Sequence, residues 1–240
     1  MSDPVELYRN GRLSDAIEAL GAALRKNPAD TQRRTFLFEL LCFAGEYDRA
    51  EKQLDVLAAA GQDAQLGALL YRSALHAARA RQQMFRSGDL PLSGLAPRPV
   101  AGTLNGQPFR SLRDADPRLG ARLELFAAGQ YLWIPLEHVE SVRMEPPRRV
   151  RDLCWAPALV RTGPTFQGRE LGEVLIPALT PEASQHPDGA VRSGQATEWM
   201  VLTDGSELPV GQKLWRVDDE EIPFLELREL VIHPPADANP

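Results

Sequence analysis

The sequence predicts an α+β protein: paired helices in the amino-terminal third, then a mainly antiparallel β region with one helix. Three observations predict it. "GRLSDAIEAL" at 11–20 returns thirty-four residues later as "GEYDRAEKQL" at 45–54. The texture changes sharply after a Pro-, Gly- and Ser-rich stretch at 87–101. Beyond that stretch, short apolar runs alternate with turn formers rather than recurring at helical spacing.

The repeat aligns Gly11 with Gly45, Leu13 with Tyr47, Asp15 with Arg49, Ala16 with Ala50, Leu20 with Leu54 and Leu24 with Ala58. About 34 residues is the period of the tetratricopeptide helix–turn–helix unit. Each aligned type has a physical use. Ala16 and Ala50 let paired helices approach, while Gly11 and Gly45 stand where the chain turns and favour positive φ. Asp3 caps a first helix that has Pro4 at its first position and runs to Asn10. The second spans Ser14 to Lys26 with Ser14 as cap, and Pro28 ends that unit. Asp30 caps Thr31 to Phe43, apolar nearly all round and so central. Tyr47 to Ala60 is the fourth and Ala64 to Phe85 the fifth, which opens a third unit that no further helix completes. The domains expected are 1–86 repeats, 87–101 linker and 102–240 β-rich region.

In the second region Asn105-Gly106 is a two-residue hairpin signal. Residues 117–129, "PRLGARLELFAAG", read as one amphipathic helix ending at Gly129, and "QYLWIPLEHVESVRME" as two strands. Further strands are expected at Glu173–Pro177, Glu198–Leu202, Gln212–Val217 and Phe224–Ile232. Residues 180–195, all turn formers, read as a mobile loop.

Composition narrows the function. The chain has 240 residues, 43% hydrophobic and 25% charged, with a net charge of −6. Arginines gather between Arg143 and Arg169, and the stretch from Glu198 onward holds ten acids against three basic residues. That polarity is no nucleic-acid stripe. No apolar run approaches the roughly 20 residues that span a bilayer. The amino terminus lacks the pattern of a secretory signal, and Cys42 and Cys154 read as separate buried thiols. A cytoplasmic location without membrane or nucleic-acid partners is expected, and the sequence leaves self-association open. No metal-ligand spacing, nucleophile elbow or phosphate loop occurs, so neither catalysis, cofactor nor metal is expected. An enzyme reading would need Glu137 or His138 to converge with Asp114, Asp116 or Asp152.

What remains is a surface. In such a stack the first helix of each unit lines the concave side. That places Val5 and Tyr8, then Gln32, Thr35, Glu39 and Cys42, then Leu66, Leu69, Ser73 and His76 along one groove suited to a helical or extended peptide. The competing reading is that the β region or a second copy covers this face.

The phrases "FLFELLC", "DADPRLG" and "RDLCWAPA", with "ATEWMVL" and "IPFLELREL", resemble the ImpE family, also called SciE or TagJ, over nearly the whole chain. These are accessory proteins of bacterial type VI secretion systems. The resemblance implies a non-enzymatic adaptor that binds a helical segment of the small contractile-sheath subunit and influences sheath recycling by an AAA+ ATPase. The alternative is a scaffold or self-associating protein whose partner site lies on the β region. This sequence departs from the family at 87–101, where relatives carry more helix.

Overall fold

The structure, a computed structural model, describes residues 3–91, 97–163, 166, 171–202 and 205–234. Residues 92–96 of the expected linker lie outside that set. Six α-helices and thirteen strands are found among the described residues: α1 Pro4–Arg9, α2 Leu13–Lys26, α3 Thr31–Phe43, α4 Tyr47–Ala58, α5 Gln62–Ser87, β1 Gly102–Leu104, β2 Gln107–Phe109, β3 Leu112–Asp114, β4 Arg122–Ala127, β5 Gln130–Pro135, β6 Val139–Met144, β7 Trp155–Thr162, β8 Gly172–Pro177, α6 Gly189–Arg192, β9 Thr197–Val201, β10 Glu207–Gly211, β11 Leu214–Val217, β12 Glu220–Pro223 and β13 Glu229–Ile232.

The helical part follows its sequence closely. Asp3 accepts the Val5 N–H and Asp30 the Arg33 N–H, as short acidic caps do. Gly11 and Gly45 both adopt left-handed backbone, φ +70° and +68°, between the paired helices. Ala16 and Ala50 are fully buried at the helix contacts, and α3 buries seven consecutive residues from Leu37 to Phe43. Ser14 is not the cap of α2. That helix begins one residue earlier with Arg12 before it, and the Ser14 hydroxyl instead accepts Arg192 Nη1 at 3.0 Å. Where a sixth repeat helix would pack, α5 meets β4 and β5, with Phe85 and Trp133 rings 5.8 Å apart.

The β part is an eight-stranded antiparallel sheet ordered β2-β1-β13-β6-β7-β8-β4-β5, with a three-stranded sheet β12-β11-β3 and a two-stranded sheet β10-β9. Asn105 and Gly106 make the expected β1–β2 hairpin with both φ positive. Residues 117–129 are not a helix. Arg122–Ala127 is strand β4, joined to β5 by a second tight turn at Ala128-Gly129, φ +48° and +78°. Both faces of β4 are buried from Leu123 to Phe126, so the run lacks the alternation that marks a half-exposed strand. Of the segment read as Phe224–Ile232, only Glu229–Ile232 is strand. β7 carries Pro157, which stands exposed within it.

Residues 180–195 are not a loose loop. They form a 3-10 turn at Ala183–Gln185 and the short helix α6, with Ala183, Val191 and Ser193 buried. This segment rests on the repeat turns. A Cβ on Gly189 would stand 2.0 Å from the Gly11 carbonyl oxygen, and one on Gly45 would stand 2.9 Å from Ser184 Oγ.

Candidate functional site

The concave helical face is where the sequence placed a groove, and its middle is filled from within the chain. Asp152 accepts the N–H groups of Arg148 and Arg149, both at 2.9 Å, which sets the 3-10 turn at Val150–Leu153. That turn delivers Arg151 between α3 and α5. Its Nη1 donates to Glu39 Oε1 at 2.9 Å and its Nε to the Tyr71 hydroxyl at 2.6 Å, with the guanidinium 4.8 Å from the Tyr71 ring centre. Burial pushes the Glu39 carboxyl above its ordinary value, against the pull of Arg151. Phe126, Cys154, Trp155 and Leu175 complete one apolar core shared with the helices.

Further along, a buried charge network ties α5 to the sheets. Arg81 holds Glu124 with two bonds, at 2.6 and 2.7 Å, and the Leu179 carbonyl with a third at 3.0 Å. Lys213 bridges Glu124 and Asp114, while the Tyr131 hydroxyl donates to Glu124 at 2.6 Å. Burial raises the Glu124 carboxyl, but Arg81 and Lys213 outweigh it and hold it at about 2. Burial dominates at Asp114, pushed up to about 6. Two cations and two carboxylates balance, so the interior carries this cluster without net charge.

One corner of the concave face stays open. A cavity of about 690 Å³ lies between α1 and α3, lined by Val5, Tyr8, Phe36 and Val150 with Arg9, Asp30, Gln32, Thr35 and Glu39. Tyr8 and Phe36 meet edge to face at 5.9 Å. The Tyr8 hydroxyl is buried without a hydrogen-bond partner among the described residues. Burial, then the neighbouring Cys154 and Glu39, pushes it up to about 12.

The ten expected groove residues therefore do not share one surface: Val5 lines the open corner and Cys42 is buried in the core. Tyr8, Gln32, Thr35 and Glu39 line the corner, although Glu39 is also committed to Arg151. Ser73 sits at the β4–β5 turn, where a Cβ on Gly129 would stand 3.6 Å from its own. Leu66 and Leu69 are 62% and 60% exposed on α5, and His76 is exposed too. The β region inserts between the two groups. Phe36 was within reach of sequence reasoning, four residues on from Gln32 on the same helical face. Val150 carried no signal.

The carboxylates of the enzyme reading are each committed to a basic group or a backbone N–H, and Asp114 also accepts the Asp116 N–H at 2.9 Å. Asp114 bonds Lys213, Asp116 bonds Arg118 at 2.6 Å, Asp152 caps its turn, and Glu137 accepts the Arg98 N–H. Among the described residues no three His, Cys, Asp or Glu side chains gather as metal ligands, and no helix is long and apolar enough to cross a membrane.

Comparison with known proteins matches the same two parts. Residues 7–72 fit a tetratricopeptide repeat model, and residues 106–231, just over half of the chain, fit the model of the ImpE protein. The chain is 34% identical to the type VI secretion system accessory component TagJ of Pseudomonas aeruginosa PAO1, across 95% of this chain and 90% of that protein. This chain belongs to the ImpE family. Homology to that component supports an accessory role in type VI secretion for this ImpE chain. The crystal structure of protein VPA1032 from Vibrio parahaemolyticus shares the ImpE fold, with a TM-score of 0.83 at 24% identity over 96% of this chain and 97% of that one. In ImpE terms the open corner is built almost wholly by the repeat part, and Val150 is the family segment's contribution.

Proposed function

We propose that this chain is a non-enzymatic cytoplasmic adaptor of a type VI secretion system that holds a helical segment of the small contractile-sheath subunit in the corner between α1 and α3. By doing so it modulates sheath recycling by the AAA+ ATPase. On this reading the chain divides into a recognising repeat part, 1–86, a linker, 87–101, and a β-rich part, 102–240, that closes the rest of the concave face. The observation that carries it is the corner itself, left open beside the middle of that face, which Arg151 and its neighbours fill. Apolar walls from Val5, Tyr8 and Phe36 stand beside Arg9, Asp30 and Glu39, which suits the apolar stripe and polar flank of an amphipathic helix.

The test is a titration of the full chain with a labelled peptide covering the amino-terminal helical segment of the small sheath subunit. Val5→Arg and Thr35→Arg, at the rim of the corner, are expected to weaken binding about tenfold, since each desolvates a charge against the helix. Leu66→Arg, out on α5, leaves it unchanged. Loss of binding in Leu66→Arg with both corner variants intact would move the site to α5.

A further inference from the structure

β9 is an edge left open. Among the described residues it pairs with β10 alone, from Thr197 opposite Gly211 to Val201 opposite Glu207. The Leu202 N–H donates to the Ser206 carbonyl at 2.7 Å, so bonded pairs recur at Met200–Leu208 and Glu198–Val210. Thr197, Trp199 and Val201 therefore turn their N–H and C=O groups away from β10. Pro209, with no N–H to give, stands opposite Trp199, where none is needed. Trp199, Met200 and Val201 are 37%, 40% and 64% exposed. Natural sheets blunt such edges with charged side chains, proline or a bulge, and of these β9 carries a single charge, Glu198.

A trough of about 580 Å³ runs beside this edge, with Gln185, His186 and Pro187 among its lining. Its charged groups are the carboxylates of Glu182 and Glu198, and neither lysine nor arginine lines it. Arg216 lies 5.5 Å from the Trp199 ring centre, but it is tied to Glu221 at 3.2 Å. Glu182 likewise answers Arg118, whereas among the described residues Glu198 is paired with His186, at 3.5 Å. Edge-to-edge pairing of two copies would bring two of these acidic stretches together on chains of net charge −6.

We infer that β9 accepts an added strand from another protein: an extended segment of alternating apolar and basic residues. Main-chain bonds to Trp199 and Val201 would hold it, its apolar side chains would lie on the face that carries Trp199 and Val201, and lysine or arginine on the opposite face would answer Glu198. This surface is separate from the α1–α3 corner, so it stands or falls independently of the sheath reading.

The experiment titrates the full chain with acetyl-Lys-Val-Lys-Val-Lys-Val-amide and with its glutamate counterpart at low salt. The lysine peptide is expected to bind at least about tenfold more tightly, with the gap narrowing as salt rises. Val201→Pro deletes an outward N–H yet spares the β10 ladder, and should weaken that binding about tenfold, while Val201→Ala stays within about threefold. Amide exchange at Trp199 and Val201 slows when the lysine peptide binds. Equal binding of the two peptides, no binding of either, or exchange that does not slow at Trp199 overturns the proposal. So does wild-type affinity in a folded Val201→Pro, or a dimer that Val201→Pro dissolves, which would give the edge to a second copy.

Discussion

The helical and β parts meet through two junctions of opposite chemistry. On the concave side a shared apolar core is pinned by buried charges, Arg81, Glu124, Lys213 and Asp114 in one cluster and Arg151 with Glu39 in another. On the turn side it is made by nearly bare backbone, Gly189 against Gly11 and Ser184 against Gly45. The two repeat turns, thirty-four residues apart in sequence, thus serve as seats for the short segment at 180–195. Charges fix the angle between the parts, because a buried ion displaced from its partner is costly. Close backbone contacts fix the spacing, because they leave no room for any side chain.

The sharpest way to break the charged junction is Glu124→Leu. It leaves both Arg81 and Lys213 buried with one carboxylate between them, and is expected to cost about 3–5 kcal/mol in a urea denaturation series. Replacing Arg81 by Met in the same chain should recover part of that loss, since it removes the stranded cation. If the double variant is no more stable than Glu124→Leu alone, the two side chains are not coupled as their 2.6 Å contact implies.

Titration probes the same cluster without mutation. Asp114 in the folded chain takes its proton at about 6, above the unfolded value, so stability rises as pH falls from about 6 toward 4. Glu124, held at about 2, works in the other sense. Unfolded chains take up its proton first, and stability is lost as pH falls from about 4.5 toward 2. A melting-temperature profile should therefore pass through a maximum between about pH 4 and 6, with effects of up to about 3 kcal/mol. Lys213→Met should deepen the acid-side change at Asp114, since the cation that favours its ionised form is gone.

The bare-backbone junction is broken by Gly189→Ala. Its methyl group would fall 2.0 Å from the Gly11 carbonyl, an oxygen that cannot turn aside, so α6 must lift at an expected cost of about 1–3 kcal/mol. Gly45→Ala meets Ser184, whose Oγ can rotate away but whose Cβ stays 3.0 Å off, a milder clash than 2.0 Å against a carbonyl oxygen, to which the strain of left-handed backbone is added. A smaller loss in Gly45→Ala than in Gly189→Ala, read from urea midpoints, checks that ordering.

These junctions also show what the sequence made legible. The helical part could be read residue by residue because caps, turn glycines and small contact residues each leave a local mark at a fixed period. Neither junction does. Glu124 looks like one more polar position until its neighbours on both faces of β4 prove to be buried, and the resulting lack of alternation made 117–129 read as a helix. The segment at 180–195 has no apolar stripe because its seat is made largely of backbone, which no side-chain pattern announces. Half of the expected groove fell together for the same reason the helices did, being set by the period. The other half was separated by Arg151, an arginine indistinguishable in sequence from the solvated ones around it.

The mildest perturbation sharpens the contrast by showing what a glycine does when nothing leans on it. Gly67 lies inside α5, and a Cβ there would meet nothing within 4 Å. Glycine costs a helix interior about 0.5–1 kcal/mol relative to alanine, mostly through the freedom of the unfolded chain. Gly67→Ala is therefore expected to raise stability by about that amount, the opposite sign to Gly189→Ala. The comparison separates two causes that composition cannot distinguish, a glycine required by its neighbour and one merely tolerated. Should Gly67→Ala instead lower the urea midpoint, the outer surface of α5 beside exposed Leu66, Leu69 and Leu70 would be in contact with something that needs the space.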